Sequence, residues 1–245
     1  MLLPIALVIL MDKRFESRLK KAATFAAGSM LAGLLASKSR GAWLTELIVI
    51  PIAVFRYLKN SKKFLVTFCI ILVLLLGYML SNPVYVQRIY SITDTTTDHS
   101  NADRIWGWKS AVLMVKDYPV TGVGLGQFRD KYNNYKYKEE TQDLYHTHNN
   151  FIHITTESGL IGLIGFLYFV GYYLYASWKN YRKKINPYDL LLFTTFIGHI
   201  CIFGQIEYTL WHGAETPPVF WFLMAILLKL KETDEQFNSI QQQED

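Results

Sequence analysis

An uncharged apolar run at Phe64–Leu80 constrains the fold of this chain more than any other feature of its sequence. Its 17 residues contain one clearly polar side chain, that of Thr67. At about 1.5 Å of rise per residue, a helix of this length covers about 26 Å, close to the thickness of a bilayer's hydrocarbon core. Because a helix in a soluble protein of this size rarely needs to be apolar on every face, the run predicts a membrane-spanning helix.

The rest of the chain alternates between apolar segments and short blocks of charge. Charged residues make up only 18% of the chain, against about 25% in ordinary soluble domains, and they concentrate in the blocks. This pattern predicts an all-α integral membrane protein, a polytopic helix bundle with one long, partly helical loop. The apolar segments lie at 1–11, 22–37, 42–58, 64–80, 151–178, 188–206 and 216–230.

Lysine and arginine concentrate in alternate connections between these segments. Four basic-rich regions hold 15 of the 25 basic residues, so the positive-inside rule predicts that they lie in the cytoplasm. The loop at 81–150 holds eight basic residues, but a loop of that length crosses the membrane largely regardless of its charge. The four regions are 12–21, 56–63, 179–187 and the start of the tail, at Lys229 and Lys231.

The expected organisation has four parts. Residues 1–80 form transmembrane helices, the first of them partial, and residues 151–230 form the others. Residues 81–150 form a periplasmic loop that carries the chemistry, and residues 231–245 form a polar cytoplasmic tail that we expect to be disordered. Because Met1–Met11 is too short to span a bilayer and lacks the features of a signal peptide, we interpret the chain as a C-terminal fragment or a late-start gene model.

Charge and cysteine placement exclude several classes of function. The net charge is +5, but the basic residues flank apolar segments, so membrane lipid and not nucleic acid is the expected partner. Cys69 and Cys201 each lie inside an apolar segment, so we expect neither a disulfide nor a cysteine metal site. Acidic or basic residues approach the spans only near their ends, at Glu46 and Glu207, which disfavours an ion-coupled transporter or channel.

The loop at 81–150 is too long for a simple connector and too aromatic to be disordered. Apolar residues at helical spacing predict a helix that is capped by Ser100 or Asn101 and runs through Lys116. Thr121–Gln127 then holds three glycines at alternate positions. Because no strand precedes this segment and no helix clearly follows it, we expect a tight turn that lets backbone approach closely, and not a nucleotide-binding loop.

Polar side chains are densest where the loop re-enters the membrane, from His146 to Asn150, with Glu157 one helical stretch beyond. Such groups are costly at a membrane boundary unless they are hydrogen-bonded or functional. His146 and His148 could share one face of an extended segment and bind zinc, but no third ligand is evident, so we expect no metal. One histidine could be a catalytic or ligand-orienting group, or only part of a helix cap at the interface.

Arg40 lies in a short turn between two apolar segments. Its side chain could simply extend to the membrane surface. The turn is nevertheless expected near the base of the long loop, where Arg104 could also reach. Two arginines that face one water-filled cavity would bind a phosphate or a diphosphate.

Three sequence motifs together carry a resemblance to a known family. They are SRGAW at 39–43, RIW at 104–106 followed by YPVTGVG at 118–124, and HTHNNF at 146–151 followed by ESGLIG at 157–162. In this order they resemble the O-antigen ligase and O-antigen polymerase superfamily of bacterial envelope enzymes, over about residues 30–230. Members of that superfamily normally carry more transmembrane helices than the six spans and one partial span marked in this chain.

The resemblance implies a GT-C-like fold and a glycosyltransferase of the bacterial inner membrane. Its donor would be a glycan on undecaprenyl diphosphate, and its acceptor a sugar hydroxyl of lipid A–core in a ligase or of another lipid-linked glycan in a polymerase. No cofactor, metal or nucleotide sugar is expected; a truncated, non-catalytic membrane protein is the alternative. The resemblance implies His148 as the general base, with His146 as the second candidate, and Arg40 and Arg104 as catalytic cations. Substrate binding or orientation would fall to His146, Asn149, Trp106 and Glu157.

Overall fold

The computed structural model describes residues 2–94, 98–137, 143–183, 186–210 and 216–244. Over these residues the chain is helical with no strand, so the expected all-α fold is confirmed. The helices are α1 (Leu2–Met11), α2 (Ser17–Ala36), α3 (Arg40–Asn60), α4 (Lys62–Ser81), α5 (Pro83–Tyr90), α6 (His99–Asp117), α7 (Phe128–Tyr135), α8 (Asn150–Lys183), α9 (Pro187–Phe196) and α10 (Thr216–Glu244). After α9 the chain continues through a π-helical turn, Ile197–Ile202, and a 3₁₀ turn, Phe203–Gln205.

Three helical segments of the described chain are long and apolar enough to cross a membrane. They are Lys62–Ser81, Asn150–Lys179 and Pro187–Gln205. The first agrees with the apolar run on which the membrane prediction was based. The other predicted segments also lie within helices, so the chain is a helix bundle in which some members are shorter or less apolar than these three.

The bundle is built around α9. Leu191, Phe196 and Ile200 are fully or almost fully buried, and they pack in one core with side chains of α1, α3, α8 and α10. By contrast, none of the spanning stretch of α4 is buried. An apolar helix that leaves most of its side chains exposed is stable only where its surroundings are also apolar, as they are in lipid.

The expectation of a disordered tail is wrong. Helix α10 continues through the polar residues after Lys231 as far as Glu244. Lysine, glutamate and glutamine have high helix propensity, and the ion pair between Lys229 Nζ and Glu232 Oε2, at 2.8 Å, lies at a helix-stabilising spacing. A helix already begun in the apolar segment therefore extends through the tail without a new nucleation step.

Helix α6 forms where its apolar spacing predicts, but a different residue caps it. The side chain of Asp98 accepts the backbone N–H of Asn101 at 3.1 Å, and its own backbone is extended. Ser100 and Asn101, which the sequence favoured as caps, lie inside the first turn instead. Several polar residues precede this helix, and sequence alone could not decide which of them has the required extended backbone.

Helix α8 is interrupted at Gly159, whose backbone has φ 64° and ψ −162°. The glycine-rich segment of the loop fits into this break and replaces the missing helical hydrogen bonds. We call the paired stretches 119–124 and 156–161 the glycine clip. Its bonds run from Val123 N to Thr156 O (2.9 Å), Gly124 N to Glu157 O (2.9 Å), Leu160 N to Pro119 O (2.9 Å) and Ile161 N to Val120 O (3.3 Å).

Two glycines make the clip possible. A Cβ atom on Gly122 would lie 2.3 Å from the carbonyl carbon of Glu157, and one on Gly159 would lie 2.2 Å from Val120 O. Both residues also have positive φ, which glycine adopts without steric cost. The expected close approach of backbone at this segment is therefore confirmed. The prediction that no helix follows it is wrong, since α7 begins directly after it, at Phe128.

Candidate active site

A cleft of about 180 Å³ opens at one end of the bundle, which we call the site end. It lies where the turn before α3 meets α5, the start of α6 and the end of the α9 segment. Three guanidinium groups and one carboxylate line it, those of Arg40, Arg88, Arg104 and Glu207. The predicted meeting of Arg40 and Arg104 at one cavity is therefore seen, with Arg88 as an additional arginine.

Arg40 is the most enclosed of the three arginines, and it is 8% exposed. It begins α3 directly after Ser39, whose hydroxyl accepts the backbone N–H of Ala42 at 3.3 Å. Its guanidinium holds the turn that precedes α6. Nη1 donates to the carbonyl oxygen of Ser91 and, at 2.8 Å, to its hydroxyl, and Nη2 donates to Asp98 Oδ1 at 2.9 Å and to Asn101 Oδ1 at 3.1 Å.

Arg104 projects from the first turns of α6 and ties that helix to the end of the α9 segment. Its Nε donates to Ile206 O at 3.0 Å, and its Nη1 donates to Ser100 O at 2.8 Å and to Ser100 Oγ at 2.5 Å. Nη2 lies 3.9 Å from Glu207 Oε2. Burial lowers the pKa of Arg104 and the Glu207 carboxylate opposes that shift, but an arginine so placed keeps its charge.

Glu207 brings the two histidines of the loop together. Its Oε1 lies 2.9 Å from His146 Nε2 and 2.9 Å from His148 Nδ1, and it accepts the backbone N–H of Tyr208 at 3.2 Å. Burial would raise the pKa of the Glu207 carboxyl, but the hydrogen bonds from the two imidazoles outweigh burial and hold it well below its usual range. Glu207 is therefore an ionised carboxylate.

The ionised carboxylate fixes the tautomers of both rings. An ionised carboxylate can only accept hydrogen bonds, so each ring nitrogen that faces Glu207 carries a hydrogen. In its neutral form His148 then holds Nδ1–H against the carboxylate and keeps a lone pair on Nε2. The His148 side chain is 23% exposed, against 9% for His146. His148 is thus the more accessible base, and the carboxylate behind it would stabilise the imidazolium that forms when it takes a proton.

The segment that carries the histidines is held from two sides. Trp108 Nε1 donates to Thr147 O at 2.8 Å, which fixes the segment to α6. Asn149 Nδ2 donates to Gln205 O at 3.0 Å, and its Oδ1 caps α8 by accepting the N–H groups of Phe151 and Ile152 at 2.9 and 3.0 Å. This support holds His148 at φ 51°, a left-handed conformation that a non-glycine residue adopts rarely.

Two of the seven residues singled out from the sequence lie elsewhere. The Trp106 ring packs against Tyr137, with ring centres 5.4 Å apart, and the ammonium of Lys109 lies 4.2 Å from its centre. Glu157 belongs to the glycine clip and is buried there, where its Oε1 accepts the N–H of Phe128 at 3.1 Å. Of the seven, only Arg40 and Arg104 line the cleft, and His146 and His148 lie beside it through their hydrogen bonds to Glu207. Asn149 acts on the histidines through the backbone contacts described above.

Two residues of the site were missed in the sequence. Arg88 was counted only among the basic residues of the loop, and Glu207 was noted only as a charge near the end of a span. The one signal in the sequence that pointed to Glu207 was the cost of placing a carboxylate at a membrane boundary. Such a group needs a cation or hydrogen-bond donors as partners. Which partners it has depends on a contact between positions 59 residues apart.

The histidine pair also has the third ligand that the sequence did not reveal. Ligand atoms of His146, His148 and Glu207 lie within 4.8 Å of one another, so the cluster has the donor set for a divalent metal. In the structure, however, both ring nitrogens lie at hydrogen-bonding distance from the same carboxylate oxygen. The polar groups that face each other in this cluster are therefore satisfied as a hydrogen-bonded set.

The fold and the site define a polytopic α-helical membrane protein with an arginine-lined cleft beside a carboxylate–histidine cluster. The O-antigen ligase family matches residues 25–167, more than half of the chain, and the protein belongs to this family. The resemblance inferred from the three motifs is thereby confirmed, and the protein is a bacterial membrane protein. Arg40, Arg88, Arg104 and both histidines of the cluster lie inside the matched region.

Curated relatives agree with the family. The chain is 26% identical to the O-antigen ligase of Salmonella typhimurium strain LT2 over 194 residues, which is 71% of this chain and 45% of the relative. It is 30% identical to a putative polysaccharide ligase of Rickettsia felis over 141 residues, 55% of this chain and 34% of the relative. It is 22% identical to an uncharacterized protein of Haemophilus influenzae over 222 residues, 83% of this chain and 52% of the relative. The chain thus spans between about a third and a half of the length of these relatives.

Proposed function

We propose that the protein is a membrane glycosyltransferase of the O-antigen ligase type. In this proposal it moves a polysaccharide from undecaprenyl diphosphate to a sugar hydroxyl of lipid A–core. The reaction takes place at the periplasmic face of the bacterial inner membrane, with the site end and the loop at 81–150 outside. The observation that carries the proposal is the Glu207–His148 pair beside a cleft that three arginines line. This pair supplies a base, and the cleft supplies cations for a diphosphate.

In the proposed reaction His148 acts as the general base. Its Nε2 takes the proton of the acceptor hydroxyl while the acceptor oxygen forms a bond to the anomeric carbon of the donor sugar. The bond from that carbon to the diphosphate oxygen breaks, and undecaprenyl diphosphate leaves with the electron pair. Glu207, at 2.9 Å from His148 Nδ1, stabilises the imidazolium that results.

The arginines act on the leaving group. A diphosphate gains negative charge as its bond to the sugar breaks, and fixed cations stabilise that charge without reorganising. Arg104 lines the cleft with its Nη2 3.9 Å from Glu207 Oε2, while its other nitrogens anchor it to α6 and to Ile206. The N-terminus of α3, at Arg40, also faces the cleft and adds the positive end of a helix dipole.

A reconstituted assay tests the proposal. The 245-residue chain is placed in liposomes with lipid-linked O-polysaccharide and lipid A–core, and transfer is followed by the mobility shift of the core on a gel. We expect His148→Ala and Arg104→Ala each to lower the transfer rate by about 10²–10⁴, the usual range for a lost acid–base or charge-stabilising group.

His99→Ala is the matched control, because His99 is exposed at the start of α6 and is not part of the cluster of His146, His148 and Glu207. It should leave the rate unchanged within about twofold. Full transfer by both His148→Ala and Arg104→Ala would show that the assigned chemistry is wrong. A product that grows on the lipid carrier, and not on lipid A–core, would identify a polymerase with the same site.

A further inference from the structure

The proposed reaction counts Arg88 among the cations of the cleft but gives it no contact of its own. Arg88 projects from the last turn of α5, and its side chain is 38% exposed, the most accessible of the three. Its Nε donates to Lys38 O at 3.2 Å, which anchors the side chain to the turn before α3. Its Nη1 lies 3.3 Å from Asp98 Oδ2. The stem of Arg88 is therefore fixed, while its head lies at the cleft.

Asp98 pairs with both Arg40 and Arg88, and its contact with Arg40 is the shorter and more buried of the two. Its Oδ1 accepts from Arg40 Nη2 at 2.9 Å and from the N–H of Asn101 at 3.1 Å, and its side chain is 10% exposed. Its Oδ2 faces the more exposed Arg88 at the longer distance of 3.3 Å. Ion pairs with exposed partners contribute little net stability, so the contact with Arg88 is the one that a competing anion can replace.

The two arginines also differ in the donors they can offer. Both Nη atoms of Arg40 donate to protein acceptors, on Ser91, Asp98 and Asn101. Removing those acceptors would release the turn and the cap of α6. Arg88 can exchange its one carboxylate partner without disturbing either, because the cap uses the other oxygen of Asp98.

We propose that Arg88 binds the diphosphate of the donor and that Asp98 is its counter-ion while the cleft is empty. This inference rests on the proposed function. A phosphate oxygen takes the place of Asp98 Oδ2 on Arg88, while Asp98 Oδ1 remains on Arg40. A phosphate carries more charge and more acceptor oxygens than a carboxylate, so the exchange is favourable. The negative charge of Asp98 remains nearby and moderates the affinity, which helps the product diphosphate to leave.

Binding of a short prenyl diphosphate tests the inference. The 245-residue chain, in nanodiscs of zwitterionic lipid, is titrated with farnesyl diphosphate, and inorganic diphosphate is used as a competitor to show that the head group is recognised. We expect Arg88→Gln to weaken binding about tenfold, as expected for one charge-assisted contact. Arg88→Lys, which keeps the charge but not the fork of donors, should fall between Arg88→Gln and the wild type.

For Asp98→Asn we expect the opposite change, tighter binding of the diphosphate. Asparagine caps a helix as well as aspartate does, and its Oδ1 can still accept from Arg40, so the substitution keeps the cap but removes the charge that faces both Arg40 and Arg88. We expect binding of farnesyl diphosphate to become about three- to tenfold tighter, a gain that a misfolded variant could not show. Arg129→Gln is the matched control: it removes one exposed guanidinium of the same loop outside the cleft lining, and should leave affinity unchanged.

Unchanged affinity in Arg88→Gln would overturn the role of Arg88, and unchanged or weaker binding in Asp98→Asn would overturn the counter-ion role of Asp98. A wild-type chain that binds neither probe would overturn the inference as a whole. The transfer assay judges the proposed function separately. If binding depends on Arg88 but no transfer occurs, the proposed function is refuted and the inference about Arg88 stands. If transfer occurs but binding does not depend on Arg88, the proposed function stands and the inference is refuted.

Discussion

Both ends of the helix bundle bury polar groups, but they satisfy them in different ways. At the end opposite the site, Lys231 Nζ lies 2.6 Å from Asp189 Oδ1, with side-chain exposures of 16% and 4%. Asp12 accepts from Tyr57 Oη at 2.9 Å and pairs with Arg14 there. Lys231 and Asp189 lie on different helices, as do the two ends of the bond from Tyr57 to the α1–α2 connection, whereas Asp12 and Arg14 both lie within that connection; each group has a fixed partner.

The site end combines charges and titratable rings around an open cleft. One carboxylate, that of Glu207, serves two imidazoles and faces an arginine at 3.9 Å. Among the described residues no protein group takes the Nε2 lone pair of His148. The difference teaches that buried polarity by itself does not mark a site in a membrane bundle. A site is marked by polar groups that can still take up a proton or bind an anion, as His148 Nε2 and the arginines of the cleft can.

Removal of the shared carboxylate should have the largest effect and sharpens this comparison most. Glu207→Gln keeps the shape of the side chain but cannot stabilise an imidazolium, so we expect the transfer rate to fall about 10³-fold. The midpoint of thermal unfolding should fall less in Glu207→Gln than in Asp189→Asn, the corresponding substitution at the opposite end of the bundle. The measurements are the gel-shift assay and thermal unfolding in detergent. Transfer within threefold of wild type would mean that the cluster is only structural.

The matched change at the opposite end is Asp189→Asn. It removes the nearer carboxylate of the Lys231 ammonium, which is only 16% exposed and keeps Glu235 at 3.9 Å, and breaking a buried pair in this way costs up to about 3 kcal/mol. We expect a lower free energy of unfolding in denaturant and an unchanged transfer rate per folded molecule. If Asp189→Asn lowered the transfer rate and left the free energy of unfolding unchanged, the Asp189 end and not the site end would be the one that supports activity.

The third test asks whether the site end depends on its backbone geometry. Gly122 and Gly126 have nearly the same φ, +70° and +72°, but only at Gly122 would a Cβ atom meet backbone. Gly126→Ala should cost about 1 kcal/mol from the left-handed conformation alone. Gly122→Ala must also open the glycine clip, so we expect a further loss of about 2 kcal/mol and reduced transfer. Equal stabilities of the two variants, measured by denaturant unfolding, would show that the clip can accommodate a Cβ atom at Gly122.

The smallest expected effect is a pH dependence. The folded pKa of Glu207 lies below its ordinary value of 4.5, so the carboxylate stabilises the fold fully above that value and loses its contribution as pH falls through the folded pKa. The difference in unfolding free energy between wild type and Glu207→Gln, about 1 kcal/mol for a partly exposed cluster, should shrink as pH falls below about 4.5. A difference that kept growing below about pH 4.5 would contradict an ionised Glu207.

Much of the fold could be predicted because the membrane imposes simple rules on sequence. Uncharged length identified the span in α4, and apolar spacing identified α6 with its end near Pro119. The arginines and histidines stood out because charge and imidazole are expensive beside lipid. The tail was mispredicted, since its polar composition suits a disordered chain and a solvated helix equally well, and only continuity with α10 decides between them.

The details of the site could not be predicted because they depend on which faces of helices meet. In α6, Arg104 and Trp108 are four residues apart and share a face, so Trp108 and not Trp106 reaches the histidine segment. The sequence noted both tryptophans but gave no reason to prefer the face of one. Glu207 and Arg88 reach the cleft through tertiary contacts that leave no local pattern.

The position of Glu207 along the chain also has a consequence for biosynthesis. Both arginines of the proposed chemistry and both imidazoles are synthesised before the carboxylate, which follows His148 by 59 residues. A chain emerges from its N-terminus first. A ribosome-bound intermediate therefore carries the arginines and histidines of the site before Glu207, the carboxylate that they share, has been synthesised. The site is completed only when the α9 segment has been inserted, so under the proposed function the nascent chain would stay inactive until this most buried part of the bundle is in place.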